Sequence, residues 1–177
     1  MDEKSVKTAV SRQLMEHRLP AWDELPDFEL YMDQVLSLCS RYLEGMPNPE
    51  GSKLTASMIN NYVKVKIVPA PQGKRYSRRH VAYLLLLCVL KPILPIAAIQ
   101  QLFTAAQNSG NEEELYGRFC ELYRQTSCAA AGDQCFAETE LSDAVIYAAL
   151  RARGEQSAAL AMLGALTPDE DDKQRKH

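Results

Sequence analysis

Val81 to Leu90 is an unbroken run of ten apolar residues, Val-Ala-Tyr-Leu-Leu-Leu-Leu-Cys-Val-Leu, closed by Lys91-Pro92. A membrane span needs about 20 such residues, so this run is too short to cross a bilayer. Ser77 is placed to cap a helix from Arg78 to about Lys91, and from Leu84 to Leu90 that helix is apolar all round. A helix of this kind is buried on most sides, which makes it the centre of a core.

The stretch leading into it, residues 54–80, reads as a short helix, a basic hairpin and the start of the long helix. Thr55 can cap the short helix with its hydroxyl. From there Met58, Ile59, Tyr62 and Val63 fall on one apolar face, while Ser57, Asn60, Asn61 and Lys64 fall on the opposite face. Asn is a poor helix former, so the Asn60-Asn61 pair calls for a reason. One such reason is reading: an Asn amide pairs bidentately with adenine in the major groove, and Ser and Lys reach base edges or phosphates. Beyond the helix, Pro69 and Pro71 stiffen an extended arm, Gln72-Gly73 supplies a turn, and Lys74-Arg75-Tyr76 returns with two cations beside an aromatic.

This layout resembles the N-terminal domain of MerR-family transcription regulators, with Tyr62, Gly73, Arg75, Tyr76 and Ser77 at the matching positions. The resemblance implies a winged helix-turn-helix that binds DNA. It departs from the family where an Arg usually sits on the reading helix, a place held here by Ile59 or Asn60, so base preference does not transfer. Residues 20–107 are also similar to a bacterial family of unknown function, numbered 1836, through Trp22 to Pro26, Leu30 to Val35, Met58 to Lys64 and Pro69 to Pro71. That likeness brings no activity with it.

Charge sharpens the picture. The net charge is -3, yet Gly51 to Asn111 contains no Asp or Glu and holds Lys53, Lys64, Lys66, Lys74, Arg75, Arg78, Arg79 and Lys91. A basic segment inside an acidic chain is a local electrostatic footprint. The proposed phosphate contacts are Lys66, Lys74, Arg75, Arg78 and Arg79, with Tyr76 beside them on the wing; His80 can meet phosphate or sit in the first helical turn against the wing. Five scattered cysteines and a polar, charged beginning are expected of a cytoplasmic protein.

Along the rest of the chain, residues 1–19 read as a helix stopped by Pro20, and 19–26 as an ordered linker in which Trp22 anchors to the core. Asp27 to Leu43 reads as a helix through Phe28, Tyr31, Val35, Leu38 or Cys39, and Tyr42, followed by an irregular connection at 46–51. Pro95 opens a helix to about Gln107, and Asn108 to Asn111 is a break. Helices are expected at 112–125, 140–153 and 155–166, with a disordered tail at 167–177. The expected domains are an N-terminal segment and linker (1–26), a DNA-binding module (27–107), a helical dimerisation or effector extension (108–166) and the tail.

No nucleophile elbow, phosphate loop, dinucleotide fingerprint or paired-His motif occurs, so neither an enzyme nor a cofactor is expected. The sequence therefore predicts a mainly α protein, a winged helix-turn-helix with a small β wing and a helical extension, acting as a homodimeric transcriptional regulator on double-stranded DNA and not at a membrane. The alternatives are a protein-interaction module of the same shape, or a thiol or metal sensor built on Cys120, Cys128 and Cys135, whose spacings match no zinc signature.

Overall fold

In the computed structural model the apolar run does form the central helix. The structure describes residues 2–44, 46, 54–107, 111–133 and 140–166, apart from the side chains of 106, 107, 165 and 166. Its elements are α1 (Glu3–Glu16), a 3-10 turn (Trp22–Glu24), α2 (Met32–Tyr42), α3 (Ala56–Lys64), α4 (Arg78–Leu90), α5 (Ile96–Gln107), α6 (Glu112–Ala131) and α7 (Leu141–Leu166). The connection at 47–51, the break at 108–110, Cys135 and the tail lie outside the described residues.

His80 to Leu87 of α4 are all buried, with Leu84, Leu85 and Leu87 fully so. They are wrapped by Val35 and Cys39 of α2, Ile59 and Tyr62 of α3, Ile99 and Phe103 of α5 and Tyr116 of α6. Burial of this apolar surface is the main favourable term holding the fold together.

The helix expected from Asp27 begins only at Met32; the chain bends at Asp27 and Phe28, pairs at Leu30 and is extended at Tyr31. The physical reason is a competing partner: Leu30 and Tyr76 exchange both backbone hydrogen bonds at 2.8 Å. The helix then starts where the Gln34 Oε1 accepts the Tyr31 N–H at 2.8 Å. Phe28, placed on the helix face by the sequence, is consequently exposed.

The expected β wing is reduced to this bridge and a second one, Gln72 with Arg75; no strand occurs among the described residues. Pro69 and Pro71 withhold the N–H groups that a longer ladder needs. What remains is a tight turn in which Arg75 N–H donates to the Gln72 carbonyl at 2.8 Å. Both central residues have positive φ, Gly73 at 54° and Lys74 at 64°, as a type I′ hairpin turn requires.

The later helices run longer than expected. Asn111 caps α6 by accepting the Glu114 N–H, with Glu112, Glu113 and Glu114 at the positive end of the helix dipole. The helix continues past Gln125 to Ala131, helped by the high helix propensity of Ala129, Ala130 and Ala131; within it the Thr126 hydroxyl donates to the Leu122 carbonyl at 2.9 Å. The two segments around Gly154 form one helix, α7; the Arg151–Glu155 pair at 2.8 Å spans the glycine.

The helix α6 packs against the N-terminal segment. Its Tyr116 donates to the Pro20 carbonyl at 2.9 Å and its ring lies 5.9 Å from Trp22, while Tyr123 meets His17 at 2.9 Å. With Glu3 at the far end of α1 reached by Leu141, α1 and α6 run antiparallel. No helix among the described residues is long and apolar enough to cross a membrane.

Candidate nucleic-acid interface

The outer face of α3 is built by its inner one. Thr55 Oγ1 accepts the Met58 N–H at 3.2 Å, and burial of Ile59 and Tyr62 fixes the helix rotation. Ser57, Asn60, Asn61 and Lys64 are thereby turned outward, and all are exposed.

The helix ends in a Schellman motif: Lys66 N–H bonds the Val63 carbonyl at 3.0 Å and Ile67 N–H bonds the Tyr62 carbonyl at 3.0 Å. The left-handed position of that motif usually holds glycine. Here it holds Lys66, at φ 61°. Gln100 of α5 braces the same end by donating to the Val65 carbonyl at 3.0 Å. Lys66 and Lys74 are the only non-glycine residues with positive φ among those described, and both are exposed. The side chains of Lys64, Lys66 and Lys74 make no hydrogen bond or ion pair among the described residues.

The arginines differ. In the antiparallel Leu30–Tyr76 register, Tyr31 stands opposite Arg75. The Arg75 guanidinium lies over the Tyr31 ring, 4.8 Å from its centroid, and 3.8 Å from the Glu29 carboxylate. Arg78 is half-buried, 5.8 Å from the Trp22 ring and donating to the Pro26 carbonyl at 3.4 Å. Arg79 pairs with Glu112 at the start of α6 and lies over Tyr83. The fold thus gives carboxylates to arginines of a stretch whose own sequence has none.

Tyr76 corrects the expectation of a wing-surface residue. Its ring is 4% exposed and belongs to the core, edge-on to His80 at 5.4 Å. His80 resolves to the second of its two expected places, the first helical turn. Its Nδ1 accepts the Ser77 N–H at 2.9 Å, so the imidazole acts as the N3 partner of the helix cap. Burial holds its pKa below the usual histidine value, and the nearby Arg79 charge pushes the same way.

Of the cysteines, Cys39 is buried and Cys88 partly buried, and burial pushes the Cys88 thiol up to about 11. Cys120 is half-buried with its thiol also raised by burial, and Cys128 is exposed on the same helix. Among the described residues no group of three or more His, Cys, Asp or Glu side chains could hold a metal ion.

Sequence reasoning missed Glu29, Tyr31, Gln100 and Glu112. Assigning 27–31 to a helix hid the first two. For Glu112, the acid-free run ending at Asn111 was the available signal, since the next residue is the one that meets Arg79.

These features define a mainly helical protein with a short helix and a basic turn displayed from one core. The chain belongs to the family described as Domain of unknown function (DUF1836), whose profile matches residues 20–126. The match runs beyond residue 107 into α6, in keeping with the packing of Tyr116 on the Trp22 segment. No curated protein and no solved structure matches the chain.

Proposed function

We propose that this protein is a MerR-like winged helix-turn-helix regulator that binds double-stranded DNA, with α3 in the major groove and the 72–75 turn against the backbone. The observation that carries the reading is the uncovered outer face of α3: Ser57, Asn60, Asn61 and Lys64 are exposed together while Ile59 and Tyr62 lock the opposite face into the core. Lys66 and Lys74 then flank the arm that follows. Asn60 and Asn61 read bases, and the lysines position the duplex on its phosphates.

The test is selection from a pool of random duplexes across salt concentrations. A sequence should be enriched, and Asn60→Ala should lose about 1–3 kcal/mol on that sequence while changing random-duplex binding little. Absence of enrichment, with affinity weaker than about 1 mM at low salt, removes the reading. A protein-interaction module then takes its place, a reading favoured by the ion pairs that already occupy Arg75 and Arg79.

The functional unit in this reading is a homodimer, since regulators of this kind place two modules on half-sites about one helical turn apart. The sequence offered all helices after Asn111 for the contact, but α6 spends its apolar face on α1 and α4. That leaves α7, where Val145, Ile146 and Leu150 are each more than half exposed. Light scattering at tens of micromolar should give the dimer mass, and Leu150→Glu should give the monomer.

A further inference from the structure

We infer that Glu29 is an internal counter-ion for Arg75, holding that arginine back from nucleic-acid phosphate and so setting the strength of DNA binding. The inference rests on the DNA-binding reading above. It begins from the bridge between Leu30 and Tyr76, which fixes where the neighbouring side chains project. Leu30 points into the core, at 5% exposed, so Glu29 and Tyr31, one residue to either side, project the other way. Tyr31 meets Arg75 as the directly opposite cross-strand residue, and Glu29 reaches the same guanidinium from the diagonal position, 3.8 Å from Nε.

The ring and the carboxylate have different effects. The Tyr31 face restrains the guanidinium, and a stacked arginine still has N–H donors to offer a phosphate. Glu29 supplies a rival anion at the place where the phosphate would sit. Both side chains of the pair are about half exposed, so water screens it and the pair is weak enough to be displaced. The Arg79–Glu112 pair differs because it joins α4 to α6 and Glu112 is less exposed; removing it would disturb the packing of the two helices.

The chemistry predicts a gain, and loss of folding cannot produce one. Glu29→Gln keeps the shape while removing one negative charge from the face. It should bind both the preferred and random duplexes roughly threefold to tenfold more tightly at 0.05 M salt, with a salt slope steeper by somewhat under one unit. Two further variants assign the effect to Arg75: Arg75→Gln should weaken binding, and adding Glu29→Gln to it should restore little, because the counter-ion then has no arginine to hold. Equal affinity and slope for wild type and Glu29→Gln, with wild type binding duplex, would overturn the inference and leave the DNA reading standing. A gain of the same size in the Arg75→Gln background would also overturn it, since that is a general charge effect. A wild-type protein that binds no duplex removes both.

Discussion

Leu84→Ala is expected to cost about 3–5 kcal/mol, a large part of the roughly 5–15 kcal/mol that keeps a domain folded. Leu84 is 0% exposed in the middle of α4, where every flank of the helix is covered by another element. The substitution removes buried methyl and methylene groups and leaves a cavity whose walls are held by helices on several sides, so little collapse can repair it. Urea denaturation followed by circular dichroism should show a lower midpoint with an unchanged slope. Leu122→Ala is the matched control. Leu122 is 54% exposed on α6, and its loss should stay within about 0.5 kcal/mol of wild type. Equal effects at the two positions would mean that α4 is not the centre of the core.

Lys66→Gly with Lys74→Gly should move stability and binding in opposite directions. A left-handed backbone costs an L-residue roughly 1–2 kcal/mol and costs glycine almost nothing, while glycine loses about 0.5–1 kcal/mol through the greater entropy of its unfolded chain. At φ 61° in the Schellman motif and φ 64° in the hairpin turn, each substitution should therefore raise stability by about 0.5–1 kcal/mol. Under the proposed DNA-binding reading the two lysines contribute about two units of salt slope, so the double variant should lose on the order of a hundredfold in duplex affinity at 0.05 M salt. A more stable protein that binds DNA as well as wild type would show that the lysines do not contact phosphate.

Much of the fold was legible because its signals are local. The Thr55 cap, the division of α3 into Ile59 and Tyr62 against Asn60 and Asn61, the Gly73 turn and the limits of α4 all follow from spacing and from single-residue chemistry. Misreadings arose where a distant partner decides. Phe28 and Tyr31 fit a helical period, but Leu30 is drawn out by Tyr76, 46 positions away. Gly154 looked like an end, yet the ion pair across it and the alanines beside it carry the helix through. For the site, residue types identified the exposed face of α3. They could not separate lysines that remain unpaired among the described residues from arginines already stacked or paired, because those partners come from before α2 and from the start of α6.

The pair of backbone hydrogen bonds between Leu30 and Tyr76 also sets a gauge. Because Tyr76 is anchored in the core and its backbone is tied to Leu30, the base of the arm cannot swing relative to α3 without opening that anchor. The other end of the arm is tied by Ile67 and Val68, whose N–H groups both reach the Tyr62 carbonyl. The span from the outer face of α3 to the tip therefore behaves like the fixed jaws of a caliper, and its width is set by the number of residues between the two anchors. Lengthening the hairpin by a residue would leave both anchors in place and reset that width; under the proposed DNA-binding reading, it would change which duplex geometries fit without altering a proposed contact residue.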